Sequence, residues 1–239
     1  MSAEPEIGSL KWRSLIVEGA RQLNIPLHPD QAEQFAVHAR ELDLWNRKMN
    51  LTAIKSPLDV AVKHYLDSIV PAAFIQSGAS LLDVGSGAGF PGIPLKILNP
   101  SLSVTLIDAS RKKVSFLKHV IRKLALENTS ARHIRTEQLV KEPAYLQIFD
   151  VISCRAFSSL RHFIWQVLPL LKPNGVMLAM KGKEIESELR ELGMMPDGNP
   201  PVKLVSDDGS PVFLKLKVFR YVLPYLDVDR LLMMLRVEK

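Results

Sequence analysis

The chain of 239 residues has very little cysteine, since Cys154 is its only one. A single thiol excludes a disulfide framework and a cysteine-rich zinc site, and it is typical of proteins kept in a reducing cytoplasm. No apolar run approaches the roughly 18 residues that a membrane-spanning helix needs. The first residues also lack the basic-then-apolar pattern of a signal peptide. We therefore expect a cytoplasmic protein without a membrane segment and without a metal site.

Acidic residues are scarce in the middle of the chain. Residues 80–182 carry 14 Lys and Arg against 6 Asp and Glu, whereas the segments on either side are close to neutral. Within 111–135, eight basic residues are accompanied by one acid, Glu127. Such a cluster is a candidate phosphate-binding surface, although an ordinary solvated helix face would give the same count.

The first third of the chain has helical periodicity. One helix is expected from about Ser9 to Leu23. A second is expected to begin at a capping box formed by Asp30 and Glu33, and a third to begin at Ser56 and Pro57.

From residue 80, short apolar runs alternate with helical patterns. The expected strands are Ser80–Val84, Ser103–Ile107, Ala131–Ile134, Phe149–Ser153 and Gly175–Met180. The helices between them are Pro91–Leu98, Ser110–Leu126 and Ser159–Leu171. After them we expect a helix at Glu184–Leu192, a loop at Met195–Ser210, and an antiparallel hairpin of Val212–Leu226 and Arg230–Val237. The order predicts a Rossmann-like α/β fold, with a mostly parallel sheet, antiparallel last strands and an N-terminal helical extension. The expected division is a helical cap at 1–79 and a ligand-binding domain at 80–239.

A glycine-rich loop follows the first expected strand. Gly85, Gly87 and Gly89 alternate with other residues directly before a helix, at the position where open α/β sheets bind ligands. The third glycine comes one residue too early for the dinucleotide pattern. Asp83 suits a ligand with a cationic amino-acid end, such as S-adenosylmethionine. Asp108, 23 residues after Gly85, suits the ribose hydroxyls of either ligand.

The segment Leu81–Ile97 resembles the first motif of class I S-adenosylmethionine-dependent methyltransferases, and more narrowly that of the RsmG (GidB) family. Further stretches resemble motifs of the same family in the same order: Trp45–Thr52, His64–Ser68, Arg111–Leu117, Ile152–Phe157 and Met180–Gly182. The family methylates N7 of one guanine, guanine-527, in bacterial 16S ribosomal RNA. The resemblance thus implies an enzyme that uses S-adenosylmethionine and acts on 16S ribosomal RNA or the small ribosomal subunit.

The resemblance also implies site residues. The cofactor would be held by Gly85, Gly87, Phe90, Asp108, Thr136, Glu137 and Arg155. Here Thr136 and Glu137 would lie in a loop and meet the adenine. By residue type alone, Glu137 and Arg155 could equally be surface charges.

No residue is nominated as an acid–base catalyst. The place of an Asn-Pro-Pro-Tyr-like loop, which handles exocyclic amines, is taken by Ser153–Phe157. Cytosine C5 methylation needs a cysteine nucleophile, and we expect Cys154 to be a buried strand-end residue instead. Guanine N7 has an in-plane lone pair and loses no proton, so positioning alone can suffice.

RNA is expected to bind to an amphipathic helix and to side chains at the mouth of the site. The helix would bury Val114, Leu117, Ile121 and Leu124, and Lys112, His119 and Lys123 would run beside its outward basic residues. The substrate-binding set is Asn50, His64, Asp67, Arg111, Lys118, Arg122 and Lys181. Asn50 could instead cap a helix, and His64 could simply pair with Asp67 three residues later.

Two other functions stay open on the residues alone. A nicotinamide-dependent oxidoreductase would share the glycine loop and Asp108, but a catalytic His–Arg or Tyr–Lys set is not evident. A non-enzymatic RNA-binding or ribosome-assembly factor would carry a vestigial pocket, which the intact glycines disfavour.

Overall fold

A computed structural model describes residues 4–155, 159–182, 185–196, 200–205 and 211–238. Its helices are α1 Leu10–Gln22, α2 Pro29–Met49, α3 Pro57–Asp59, α4 Asp67–Ile69, α5 Gly92–Leu98, α6 Arg111–Lys123, α7 Thr136–Leu139, α8 Leu160–Val167 and α9 Glu186–Leu192. A π-helical turn, Val60–Leu66, joins α3 to α4. Short 3-10 turns cover Val70–Phe74, Pro143–Tyr145 and Leu168–Leu170. The strands are β1 Ser80–Val84, β2 Ser103–Asp108, β3 Thr129–His133, β4 Phe149–Arg155, β5 Leu171–Lys181, β6 Val202–Val205, β7 Pro211–Leu223 and β8 Val228–Glu238.

The strands form one sheet in the order β3-β2-β1-β4-β5-β8-β7-β6. The pairs from β3 to β5 are parallel, and β8, β7 and β6 add to the edge as antiparallel strands. Strand order reverses at β1, which lies between β2 and β4. Ligands of open α/β sheets bind in the crevice at such a point, outside the carboxyl ends of the strands. The expected fold class is therefore confirmed, and the glycine loop lies at this edge.

Several local expectations were wrong. Helix α2 begins at Pro29, one residue before Asp30, and the Gln31 side chain accepts a hydrogen bond from the His28 backbone N–H at 2.9 Å. The capping box of Asp30 and Glu33 is therefore not formed. Strand β6 lies within the segment expected to be a loop, and β3 begins two residues earlier than expected. The start at Ser56 is confirmed, because its Oγ accepts from the Asp59 N–H at 3.3 Å.

Apolar residues cover both faces of the sheet. On one face, Trp12, Phe35 and Tyr65 of the N-terminal helices share a continuous buried cluster with Leu81 of β1 and Leu117 of α6. On the other face, the buried residues of α8 and α9 pack against the sheet. Since Trp12 also donates from Nε1 to the Pro57 carbonyl at 2.9 Å, α1 is tied to the start of the helix that leads to the site.

Candidate active site

The glycine loop leaves open space beside its backbone. Gly85 and Gly87 have positive φ values of 67° and 60°. A Cβ at Gly85 would have no neighbour within 4 Å, and one at Gly87 would meet only the Gly85 carbonyl at 3.9 Å. Gly92 differs, since a Cβ there would lie 2.4 Å from Leu106 and would prevent α5 from packing on the sheet. The backbone at Gly85 and Gly87 is thus shaped for the close approach of a ligand.

Asp108 holds the loop from the end of β2. Its Oδ2 accepts from the Gly87 N–H at 2.9 Å, and its Oδ1 accepts from the Ser110 N–H at 2.7 Å. A carboxylate has about four acceptor positions, so two bonds leave capacity for hydroxyls of a ligand. The expected place of Asp108, beside the glycine loop, is therefore the observed one.

Asp83 is fully buried and does not face the open space. Its Oδ1 accepts from the Ser153 hydroxyl and its Oδ2 from the Gly92 N–H, both at 3.1 Å. Burial raises the pKa of Asp83 to about 6, against the lowering effect of these bonds. Its oxygens are engaged inside the fold, so any effect of Asp83 on a cationic ligand end would act through its charge and through the loop that it holds. Its carboxylate joins β1, β4 and the start of α5.

Three family-matching residues meet at the mouth of the crevice. The His64 ring stacks on Phe90 at 4.3 Å between centroids, and the Arg155 guanidinium lies over the same ring at 5.3 Å. Arg155 also donates from Nη2 to His64 Nδ1 at 3.2 Å and from Nη1 to the Lys63 carbonyl at 2.9 Å. We call His64, Phe90 and Arg155 the aromatic–arginine cluster. Arg155 is partly buried here, so it is not an ordinary surface charge.

The protonation state of His64 follows from its contacts. Since Nδ1 accepts from Arg155, the proton is assigned to Nε2, which donates to Thr52 Oγ1 at 3.0 Å. Burial, and then the charge of Arg155, lowers the pKa of His64 to about 3. His64 is therefore neutral near pH 7 and too weakly basic to accept a proton during catalysis.

Asp67 is a buried carboxylate behind this cluster. Tyr221 of β7 donates to its Oδ1 at 2.7 Å, and Arg155 and Arg230 both lie 3.9 Å from its Oδ2. Burial raises the pKa of Asp67, against the opposing effects of Tyr221, Arg155 and Arg230. Sequence reasoning missed Tyr221 and Arg230, because neither stands in a recognisable motif. The structure thus connects the last two strands to the site.

His64 does not pair with Asp67, although the sequence had left that pairing open as an alternative to substrate binding. The π-helical turn explains this, because the Asp67 N–H bonds to the Val62 carbonyl five residues back. Such wider turns do not bring residues three apart into the neighbouring positions that an α-helix gives them. Asn50 ends α2 as its C-cap in the left-handed region, with φ of 49°, so the capping alternative holds for its backbone.

Thr136 and Glu137 begin α7 rather than lie in a loop, as had been expected. Thr136 is buried, and Glu137 accepts from the Gln166 side chain of α8. Lys181 is mostly buried at the end of β5 and forms an ion pair with Glu188 of α9. Its amine is therefore not simply presented to a substrate, as the sequence had suggested.

Helix α6 presents fewer outward charges than its sequence count implies. Arg111, Lys118 and Arg122 are exposed, as expected. The three neighbouring basic residues are engaged within the protein. Lys112 donates to the Met49 carbonyl at 2.7 Å, whereas His119 and Lys123 contact Glu41 at 2.7 and 3.6 Å. The buried stripe also differs: Phe116 and Val120 join Val114 and Leu117, while Ile121 is partly exposed and Leu124 caps the helix. Lys112 and Lys123 are exposed beside the outward residues, as expected, but each of the three neighbours also has a partner within the protein.

Cys154 is buried on β4, as expected. Burial, and then the charge of Asp83, raises its pKa to about 12. A thiol with this pKa is not a thiolate near neutral pH and is a poor nucleophile. The two residues after Arg155 in the family-like motif, Ala156 and Phe157, lie outside the described residues.

Within the described ranges, no cluster of three or more His, Cys, Asp or Glu side chains is arranged to hold a metal ion. In the same part of the chain, no helix combines the length and the apolar character required to cross a membrane.

Known structures share this fold. An S-adenosylmethionine-dependent methyltransferase from Aquifex aeolicus is 18% identical with a TM-score of 0.53, covering 78% of this chain and 96% of its own. At this identity the likeness concerns the fold alone.

Sequence comparison identifies the family. The family model for rRNA small subunit methyltransferase G matches residues 31–196. The ribosomal RNA small subunit methyltransferase G of Geotalea uraniireducens is 45% identical over 171 residues, which is 72% of this chain and 77% of the relative. The namesake from Desulfitobacterium hafniense is 42% identical over 171 residues, or 72% of this chain and 71% of the relative. The resemblance seen in the motifs is confirmed, and the chain belongs to the rRNA small subunit methyltransferase G family.

Proposed function

We propose that this chain transfers a methyl group from S-adenosylmethionine to N7 of a guanine, guanine-527, in 16S ribosomal RNA. The observation that supports the choice of atom is the geometry of the two candidate catalytic groups: both ring nitrogens of His64 are engaged, by Arg155 and Thr52, and Cys154 is buried on β4. His64, with its pKa near 3, and Cys154, with its pKa near 12, can serve neither as base nor as nucleophile at neutral pH. An N7 acceptor requires neither, because its lone pair is already available.

The cofactor would lie along the glycine loop. Gly85 and Gly87 leave their backbone accessible, and Asp108 keeps free acceptor positions for ribose hydroxyls. Phe90 and Arg155 would border the methionine side, and Thr136 and Glu137 the adenine. When bound, S-adenosylmethionine supplies the electrophilic methyl group. The protein contributes side chains that orient the methyl acceptor.

The target guanine would enter at the aromatic–arginine cluster. A purine can stack on aromatic side chains or a guanidinium once it leaves its own stack. Arg155 is held in place by His64 and by the charge of Asp67. Asn50 and Lys181 are further candidates for contact with the RNA, and Arg111, Lys118 and Arg122 for contact with its phosphates.

The substrate would be the RNA alone or the small ribosomal subunit, in the cytoplasm. We further propose that residues 1–79 form a cap on the methyltransferase domain of residues 80–239. Tyr65 of the cap lies 5.3 Å from Phe90 of the domain, ring centre to ring centre, which supports a cap that shapes the site.

The test is to incubate the protein with methyl-labelled S-adenosylmethionine and small subunits that lack the modification. Cleavage chemistry selective for N7-methylguanine should locate the label at one guanine. Cys154→Ala should transfer the label at near the wild-type single-turnover rate. Label on cytosine, or a folded but inactive Cys154→Ala protein, would contradict the N7 assignment. Calorimetric binding of NAD but not S-adenosylmethionine would favour the oxidoreductase, and RNA binding without label transfer would favour the assembly factor.

A further inference from the structure

The last three strands carry a row of basic residues on one face of the sheet. Lys215 of β7 stands directly opposite Arg236 of β8, and Lys217 stands two residues further along β7. Lys203 of β6 is opposite Phe213, which precedes Lys215 on the same face. Alternate residues of a strand share a face, so these four basic side chains form one surface. We call Lys203, Lys215, Lys217 and Arg236 the hairpin basic surface.

In the part of the chain that the structure describes, these four charges stand without partners. Among the described residues, no hydrogen bond or ion pair engages any of the four side chains. Glu238, opposite Phe213, is the acid that borders them most directly. On α6, by comparison, three of the basic residues are engaged: Lys112, Lys113 and Lys123.

The pairing of Lys215 with Arg236 is unfavourable for the sheet itself. Directly opposed side chains have Cβ atoms only about 5 Å apart, and like charges at such positions destabilise a sheet. Glu238 is the one acid of the described residues that lines the concavity beside the pair, so three basic side chains stand there against one carboxylate, and a bound anion would offset the remaining repulsion.

A groove runs along the same surface. A concavity of about 210 Å³ is lined by Lys215, Lys217 and Arg236, together with Met234 and one acid, Glu238. Arg236 also lines a neighbouring concavity of about 560 Å³, at the amino ends of the parallel strands, together with Lys172 and Asn174. The acid in that second space, Asp150, is engaged by Lys172 at 2.8 Å and by Ser80 at 2.7 Å. An anionic polymer following the groove would therefore meet an excess of positive charge, with Glu238 as the acid of the smaller concavity.

We propose that the hairpin basic surface binds the phosphate backbone of the RNA substrate, at a place distant from the target base. The proposal rests on the proposed function for the identity of the RNA. Phe213, 44% exposed beside these charges, offers a face on which an unpaired base can stack. The surface lies outside residues 31–196, so it is not part of the segment matched by the family model.

The test compares two triple variants with the same change in charge. One is K215Q/K217Q/R236Q. The control is K11Q/K141Q/R190Q, whose three residues are exposed and lie on α1, after α7 and on α9. Affinity for unmodified small subunits is measured from about 50 to 200 mM salt, the range over which phosphate contacts weaken steeply.

We expect the first variant to bind the RNA at least tenfold more weakly at low salt, with the slope of log affinity against log salt reduced by about 2. Its affinity for S-adenosylmethionine and its rate at saturating RNA should equal those of the wild type. Its melting temperature should not fall, because a like-charge pair is removed.

Affinity and salt slope equal to those of the control would overturn the proposal. So would unchanged RNA affinity with lost binding to vesicles of anionic lipid, which would assign the surface to a membrane. If the wild type transfers no methyl group to RNA, the proposed function fails, yet the comparison of affinities still decides the role of this surface.

Discussion

Single residues at the centre of the fold have pKa values far from their ordinary ones, and this makes stability depend on pH. Asp83 has a pKa raised to about 6, whereas buried His38 and His64 have pKa values lowered to about 4 and about 3. Desolvation is the main cause at all three residues, because it disfavours whichever form is charged. The carboxyl and the imidazoles therefore act on stability in opposite directions.

Asp83→Asn should isolate the contribution of the carboxyl. The folded state holds the Asp83 proton more tightly than the unfolded state, so this group makes the wild type less stable as pH rises from about 4 to about 6. A shift of two units corresponds to about 3 kcal/mol. The amide introduced by the substitution keeps an oxygen for the Gly92 N–H, so the variant should gain stability relative to the wild type across this range.

The measurement is the free energy of unfolding of both proteins in urea from pH 4 to pH 7. Differences between the two curves remove the effects of His38 and His64, which gain stability with rising pH. A difference that does not change with pH would show that Asp83 ionises in the folded state as easily as in the unfolded one.

Among the elements, the hairpin of β7 and β8 both adds two strands to the sheet and supplies side chains that contact a buried carboxylate near the site. Tyr221 and Arg230 reach the Asp67 carboxylate that lies beside Arg155. We expect Tyr221→Phe to lower kcat about tenfold while leaving the affinity for S-adenosylmethionine unchanged, because Asp67, which lies beside Arg155, loses the hydrogen bond that holds its carboxylate in place. A lost hydrogen bond to a charged group also costs about 1.5–3 kcal/mol of stability.

Tyr225→Phe provides the matched control. Tyr225 lies in the turn between the same strands, and its hydroxyl donates to the Leu15 carbonyl at 2.9 Å. The substitution removes one hydroxyl bond from the same element without touching Asp67. Equal kcat values for the two variants, with RNA KM unchanged, would reduce Tyr221 to a structural role.

We expect helix α6 to bind RNA through its outward residues only, which are Arg111, Lys118 and Arg122. R111Q/K118Q/R122Q should weaken RNA binding and lower the salt slope by about 2 to 3, while cofactor affinity stays constant. K11Q/K141Q/R190Q again serves as the control for a general loss of charge. An unaltered slope, measured by titration of small subunits at several salt concentrations, would reduce this face to a solvated helix surface.

The sequence predicts the regular helices and strands well and the irregular elements poorly. β1 and β2 are apolar runs bounded by turn residues, so their bounds follow from periodicity. β6 is only four residues long and lies in a segment rich in Pro and Gly, so local composition hides it. The π-helical turn has no sequence signal. Tyr221 reaches Asp67 across 154 positions, a contact that no local pattern encodes.

For the whole molecule, the continuous core predicts that the N-terminal helices and the sheet unfold together. Trp12 is fully buried and packs edge to face on Tyr65 at 5.4 Å, within the cluster that includes Leu81 of β1. Trp12→Ala should lower the free energy of unfolding by about 3–5 kcal/mol. We expect this substitution to lower the melting temperature of one common unfolding transition, rather than to unfold residues 1–79 while the rest of the chain stays folded.

Calorimetry together with circular dichroism checks this expectation. A single transition with matching calorimetric and van't Hoff enthalpies is the expected result. Two separate transitions, with only the first moved by Trp12→Ala, would mean that residues 1–79 are an independent unit.

The π-helical turn at Val60–Leu66 also has a consequence for insertions and deletions in this family. Each residue of an α-helix advances the chain by about 100° around the axis, so a single insertion rotates everything beyond it. A π-helical turn accommodates one extra residue locally, and here it separates Pro57, which binds Trp12, from Asp67. Deleting Ala61 would leave every site side chain in the sequence and still turn Asp67 away from Arg155. Chain length in this short segment is therefore as much a part of the site as the identity of its side chains.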